Sequence, residues 1–148
     1  MHDTEKYNDL ELSILGCFLQ KPELFKKTAL ENKHFKKHYK IFVFLKVVYQ
    51  KFNTLDLTLL YSISKNKYRI VEYIEWITKH YGFPSLFETY ERELIELYNQ
   101  TKKDKWLVDK IYVLANELLA RNISTTDFKN EIDNLYQEAE QIFEEVDY

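Results

Sequence analysis

Glycine and proline are scarce in this sequence, with two residues of each among 148. Both residue types mark turns, and a fold built from many short strands needs many turns. Their scarcity argues against a strand-rich fold and predicts an all-α protein with long, uninterrupted helices. Hydrophobic residues make up 45% of the chain and aromatic residues 16%, which is enough apolar surface for a core and argues against disorder.

The sequence also lacks a pair of cysteines and an excess of basic over acidic residues. Cys17 is the only cysteine, so no intramolecular disulfide can form, which fits a reducing cytosol. The net charge is −3, whereas proteins that mainly bind the phosphate backbone carry a basic excess. We therefore expect direct binding to nucleic acid to be weak or absent.

No segment has the pattern of a secretory signal or a membrane span. Residues 1–11 are polar and acidic, without a basic start followed by an apolar stretch. The longest apolar runs, 14–19 and 41–45, fall far short of the roughly 20 residues that a membrane span needs. The sequence predicts a soluble, cytoplasmic protein with no membrane contact.

Capping signals place the first two helices. Asn8 and Glu11 have the spacing of a capping box, which predicts a first helix that begins at Asn8 or Asp9. Pro22 suits the first position of a short second helix over residues 23–30. The apolar residues at helical spacing on the first helix are Leu10, Ile14, Leu15, Phe18 and Leu19.

Three more helices are predicted before Gly82, the second of the two glycines. A third helix is predicted over residues 38–52, with Phe42, Leu45, Val48, Tyr49 and Phe52 on one side. Asp56 is a suitable N-cap for a short helix through Ser64. The next helix, over residues 68–81, is expected to end where Gly82 can take a left-handed conformation.

The last part of the chain is predicted to form two long helices. Ser85 and Glu88 make a capping box, after which no glycine or proline interrupts the chain to about Arg121, although the helix could break near residues 100–105. Ser124 and Asp127 mark a second helix start. The organisation that follows is a helical head over residues 1–83 and an αα-hairpin over residues 84–148.

Both hairpin helices carry an apolar seam. In the second helix, spacings of 4, 3, 4, 3 and 4 connect Phe128, Ile132, Leu135, Ala139, Ile142 and Val146. The long helix carries Phe87, Tyr90, Leu94, Leu97, Leu107, Ile111, Leu114 and Leu118. The two seams could satisfy each other and nothing else, or they could also pair with another chain.

The seam is wider than a two-helix hairpin requires, and such a hairpin has little core of its own. Both features favour pairing with another chain. The residues predicted to form this oligomer or partner interface are Phe128, Ile132, Leu135, Tyr136, Ala139, Ile142, Phe143, Leu107, Ile111 and Leu114.

The sequence holds no recognisable catalytic or metal-binding motif. A P-loop needs two glycines and a following Lys-Ser/Thr, and Gly16 and Gly82 are followed by Cys17 and Phe83, so this chain is not expected to hydrolyse ATP or to hold a cofactor. His34 and His38 have a zinc-compatible spacing but no further ligand motif, and His38 is expected to be a packing or capping residue. Cys17 has no neighbouring base and is expected to be a buried thiol.

Two lysine clusters could contact nucleic acid, although a solvated helix face explains such runs more often. The first contains Lys33, Lys36, Lys37 and Lys40, interleaved with Phe35 and Tyr39, and the second contains Lys102, Lys103, Lys105 and Lys110.

An ordered set of short motifs resembles the N-terminal domain of DnaB-type replicative DNA helicases. These are DLELSILG at 9–16, PELF at 22–25, DLTLL at 56–60, VEYIE at 71–75 and EAEQIFEEV at 138–146. Phe35, His38, Ile41 and Phe42 resemble that family's F…H..IF signature. The family's Gly-Gly turn is replaced near Arg69 and Ile70, and the interval from Phe35 to His38 is about two residues shorter.

The resemblance implies a helical head and a hairpin that pairs with other copies to build a collar, where primase or a helicase loader docks. The parent protein would then be an ATP-dependent helicase whose motor domain follows this region. Two alternatives stay open: a free-standing phage or mobile-element protein that recruits or inhibits a host helicase, and a small DNA-binding helical domain.

Overall fold

A computed structural model of the chain describes residues 2–64 and 68–143. Within those ranges there are six α-helices and no strand, which confirms the predicted all-α fold. The helices are α1 (His2–Gln20), α2 (Tyr39–Phe52), α3 (Leu57–Ser64), α4 (Tyr68–His80), α5 (Phe87–Leu119) and α6 (Thr125–Phe143). Short 3-10 segments span Pro22–Lys26, Asn32–His34 and Pro84–Leu86. No helix in the described ranges is long and apolar enough to cross a membrane.

The chain forms two compact units, Met1–Ile95 (the head unit) and Glu96–Tyr148 (the two-helix unit). The boundary lies inside α5, whereas the sequence places it before that helix, between residues 83 and 84. The first turns of α5 belong to the head because Phe87 and Leu94 are buried there. Glu91 also accepts hydrogen bonds from the Thr28 hydroxyl and from the backbone N–H of Ala29.

The core of the head is built around α1. A helix that is apolar on all sides needs neighbours on all sides, and nearly every side chain from Leu10 to Phe18 on α1 is buried. Helix α1 packs against α4 and against the 3-10 segments at Pro22–Lys26 and Pro84–Leu86. The Phe18 ring stacks on Phe25 at 3.8 Å and meets the edge of Phe87 at 5.2 Å.

The predicted extents of the third to fifth helices agree with α2, α3 and α4. Asp56 caps α3 by accepting the backbone N–H of Thr58. Gly82 follows α4 with a φ of +84°, the left-handed conformation expected there. Phe52 differs from the other apolar residues predicted on one side of this third helix, because it is 43% exposed while they are buried.

Three predicted helix boundaries are wrong. Helix α1 begins at His2 instead of Asn8 or Asp9. The segment after Pro22 is a 3-10 turn that ends at Lys26, because Glu91 takes the N–H of Ala29. Ser85 lies inside the 3-10 turn Pro84–Leu86, and α5 begins at Phe87.

The two glycines of the chain lie against each other where α1 crosses the end of α4. A Cβ atom added to Gly16 would lie 2.1 Å from the Tyr81 carbonyl oxygen. A Cβ atom added to Gly82 would lie 2.4 Å from the Ser13 carbonyl oxygen. The side-chain amide of Gln20, also on α1, donates hydrogen bonds to the carbonyl oxygens of Tyr81 and Gly82, at 3.0 Å each.

We predict that Gly16→Ala destabilises the head by about 2–3 kcal/mol, because the added methyl group forces the two backbones apart. Helix propensity alone would change stability by up to about 1 kcal/mol in the opposite direction. Urea unfolding followed by circular dichroism measures the difference. Ser62→Ala, on the exposed side of α3, is the control and should leave the midpoint unchanged. A stabilised Gly16→Ala variant would contradict the close contact.

Glu11 is fully buried and binds the segment that leads into α2. Its carboxylate oxygens accept the backbone N–H groups of Lys36 at 2.9 Å, Lys37 at 3.1 Å and His38 at 2.7 Å. Burial raises the pKa of Glu11, and the three backbone donors oppose that rise. Asn8, the other half of the predicted capping box, has its Oδ1 2.8 Å from His38 Nε2. Both residues therefore make tertiary contacts in the middle of α1 and do not cap its start.

We predict that Glu11→Gln destabilises the protein by about 2 kcal/mol, because an amide replaces one acceptor oxygen with a donor that faces backbone donors. Glu5→Gln, at an exposed position of the same helix, removes the same charge and should have little effect. Thermal unfolding at neutral pH compares the two variants. Equal stability of both variants would show that the hydrogen bonds from the three backbone donors to Glu11 do not contribute to the stability of the protein.

Candidate interaction surface

The turn between α5 and α6 is held by local hydrogen bonds that fix where each helix ends. Arg121 has a φ of 62°, and the backbone N–H of Asn122 donates to the Glu117 carbonyl at 2.9 Å. This combination is a Schellman motif, which satisfies the last carbonyls of a helix. The Ser124 Oγ accepts the N–H of Asp127 at 3.0 Å, and Asp127 Oδ2 accepts the N–H of Ser124 at 3.4 Å. The predicted helix start at Ser124 is confirmed.

Helices α5 and α6 contact each other through long side chains. Lys103 on α5 forms an ion pair with Glu140 on α6. The Trp106 ring meets the edge of the Phe143 ring with centroids 6.2 Å apart. Helix α5 runs without a break through residues 100–105. These contacts are compatible with the predicted hairpin.

Little of the predicted interface is buried within a single chain. Only Leu107 and Ala139 are buried in the described part of the two-helix unit, at 9% and 0% exposure. Tyr136 and Ile142 are exposed, at 53% and 52%. The remaining predicted interface residues are half-buried: Phe128, Ile132, Leu135, Phe143, Ile111 and Leu114. Val146, the last member of the predicted seam, lies outside the described residues.

A second apolar stripe runs along α5 beside the predicted seam. Val108, Tyr112 and Leu119 are 64%, 68% and 81% exposed, and their spacing of four and then seven residues puts them on one helix face. Sequence reasoning missed this stripe because it followed one seam only. The signal was present, since each of these residues lies one position after Leu107, Ile111 and Leu118 of that seam.

The residues considered for catalysis or metal binding are Cys17, His34 and His38. All three lie in the head unit and are buried there. Cys17 is buried, which confirms the expected buried thiol, and burial raises the pKa of this thiol to about 12. The Nδ1 of His34 accepts the backbone N–H of Glu31 at 2.9 Å, and burial lowers the pKa values of His34 and His38. Among the described residues, no three His, Cys, Asp or Glu side chains are grouped to hold a metal ion.

The two lysine clusters differ in their surroundings. In the second cluster, Lys103 pairs with Glu140 and Lys105 with Asp109, while Lys110 lies over the Trp106 ring. This cluster therefore has local partners, as a solvated helix face would. In the first cluster Phe35 is buried against Phe42 with ring centroids 4.2 Å apart, so it is not available to stack on a base.

Comparisons with protein-family models, with curated proteins and with solved structures found no match to this chain.

We predict that Ser124→Ala lowers the stability of α6 by about 1 kcal/mol, because the N–H of Asp127 loses its acceptor. Thr126→Ala, at an exposed position in the first turn of the same helix, is the matched control. Amide hydrogen exchange in the first turn of α6 is the measurement. Faster exchange in Ser124→Ala alone is expected, and equal rates in both variants would contradict a role for the cap.

Proposed function

We propose that this protein is a helical interaction module that self-associates through its two-helix unit and docks proteins of DNA replication, as the N-terminal domain of a DnaB-type helicase does. The observation that carries the proposal is the exposure of apolar side chains on α5 and α6. The ordered motifs that resemble this helicase family support the choice of partners.

A single copy leaves the predicted seam only partly covered. Each helix buries one side chain of the predicted interface, Leu107 on α5 and Ala139 on α6, and a two-helix unit with so little buried apolar surface has little stability of its own. Removing a large apolar side chain from water contributes about 1.5–3 kcal/mol. Covering Tyr136, Ile142, Tyr112 and Leu119 would therefore add substantial stability.

The binding partner that fits this surface best is a second copy of the chain. The exposed stripe on α5 and the predicted seam on α6 each repeat at coiled-coil spacing, so two such units can pack their helices side by side as a four-helix arrangement. The interface of a symmetric dimer is self-complementary, so the same apolar residues of both copies would face each other. Pairing of this kind is the basis of the collar that the resemblance implies.

In this proposal the chain performs no chemistry itself. It holds no cofactor, and ATP hydrolysis belongs to a motor domain of the helicase that it assembles with. Primase or a helicase loader would dock on the assembled collar, in the cytoplasm. A pull-down from purified components tests this part, and recovery of neither a replicative helicase nor a primase would contradict it.

We predict that Tyr136→Lys and Ile142→Lys each shift the protein from an oligomer towards a monomer. Both side chains are exposed in a single chain, so these changes should leave the helix content intact while placing a charge in the contact between copies. Light scattering at micromolar concentration measures the mass, which is 18.1 kDa for one chain. We expect at least a tenfold weaker association, since the loss of one large buried side chain corresponds to about 1.5–3 kcal/mol.

Gln137→Lys is the matched control, because it introduces the same charge at the neighbouring exposed position on another side of α6. Its mass should equal that of the unchanged protein. A protein that is monomeric before any substitution, or whose mass Tyr136→Lys and Ile142→Lys leave unchanged, would overturn self-association through this surface.

A further inference from the structure

A continuous row of aromatic rings crosses the surface of the head unit along α4. The Tyr73 and Trp76 rings are stacked, with centroids 5.6 Å apart and planes 15° apart. Trp76 also meets the edge of Tyr81 at 5.3 Å and lies 5.6 Å from the His80 ring. At the other end of the row, Tyr73 lies 6.1 Å from the His38 ring.

Apart from its buried His38 end, the row lies outside the core that holds the head together. Helix α4 buries Val71, Ile74 and Ile77 completely, and these residues form the face that packs on the rest of the head. Trp76 lies off that face and is 42% exposed. A large flat ring left partly open beside a stacked tyrosine gives the head an exposed aromatic surface.

The His38 end of this row adjoins the first lysine cluster. Residues 32–40 include Lys36, Lys37 and Lys40, all exposed, and no acidic residue. On α4 the exposed Arg69 and Lys79 lie on either side of Trp76 along the helix. The acidic residues of the same stretch are Glu72, which is exposed, and Glu75, which is half-buried and accepts a hydrogen bond from the Tyr61 hydroxyl. These two acids balance Arg69 and Lys79, so the positive excess of this face lies at its His38 end, in a chain whose net charge is −3.

We propose that this face of the head binds single-stranded nucleic acid, with bases stacked on Trp76 and Tyr73 and phosphates beside Lys37 and Lys40. Single-strand binding sites combine aromatic rings on which unpaired bases stack with a basic border that follows the backbone. Both elements are present here, and they adjoin at the end of the row where Tyr73 contacts the buried His38 ring, next in sequence to Lys37.

The positive charge near the aromatic row favours a nucleic acid over a second copy of this chain as the binding partner. A protein partner could cover Trp76 by apolar contact, but the exposed lysines at the end of the row match a polyanion. An unpaired strand is favoured over a duplex, because the faces of paired bases are already stacked and cannot reach Trp76. The proposal is independent of pairing through α5 and α6, since its residues all lie in the head unit.

The test uses the full chain and a fluorescein-labelled oligothymidylate of 12 nucleotides, with binding followed by anisotropy at several salt concentrations. Trp76→Ala should weaken binding roughly tenfold, because one base loses the aromatic ring on which it stacks. The pair Lys37→Ala and Lys40→Ala should reduce the steepness of log affinity against log salt by about 1.4, since each single-strand phosphate contact contributes about 0.7.

The controls remove similar side chains away from both proposed surfaces. Phe52→Ala removes an exposed aromatic ring at the end of α2 and Lys129→Ala an exposed lysine on α6, and neither should change the affinity. Trp106→Phe leaves Trp76 as the single tryptophan, so quenching of its fluorescence by oligothymidylate reports stacking directly, even if Trp76→Ala should fail to fold. A duplex of equal length should quench it less.

Absence of oligonucleotide binding at low salt, or binding that Trp76→Ala and the lysine variants leave unchanged, would overturn the proposal. Equal quenching by single strand and duplex would also overturn it, because the bases would then not be stacking on Trp76. A chain that binds no oligonucleotide, but whose mass in light scattering falls on Trp76→Ala, would assign this face to a second copy instead.

Discussion

The close contact between Gly16 and Gly82 is the constraint on which the head depends. Helix α1 and the end of α4 approach so closely there that neither glycine has space for a Cβ atom. A contact of this kind brings backbone against backbone, so the side chains on either side of it can interlock at full density. The burial of nearly every side chain from Leu10 to Phe18 follows from this position of α1 in the centre of the head.

A second constraint is polar and acts on the same helix. The Glu11 carboxylate holds the segment 36–38 by its backbone N–H groups, and that segment leads directly into α2. A buried acid is costly to desolvate unless donors surround it, so this site also specifies which loop lies against α1. The two contacts together place α4 on one part of α1 and the start of α2 on another.

The two-helix unit is organised differently, and much of it follows from local sequence. The Ser124–Asp127 capping box and the unbroken stretch without glycine or proline predict where α6 begins and that α5 is long. The all-α class and the bounds of α2, α3 and α4 were predictable for the same reason, because caps and helical spacing are local signals. What could not be predicted was how much of the seam one chain covers, since burial depends on how closely two helices approach. The same limit applies to Val108, Tyr112 and Leu119, whose exposure only the three-dimensional arrangement reveals.

The sequence by itself determined an all-helical chain, the turn at Ser124, the left-handed position of Gly82 and the absence of a P-loop. Each of these depends on residues within a few positions of one another or on a motif that can be read directly. The tertiary structure alone decided the role of Glu11 and Asn8, which have the spacing of a helix cap but bind partners some thirty residues away. It also decided that Phe35 enters the core while Trp76 stays on the surface. The physical reason is that a polar or aromatic side chain takes its role from the partner that the fold brings to it, and such partners lie too far along the chain for spacing to reveal.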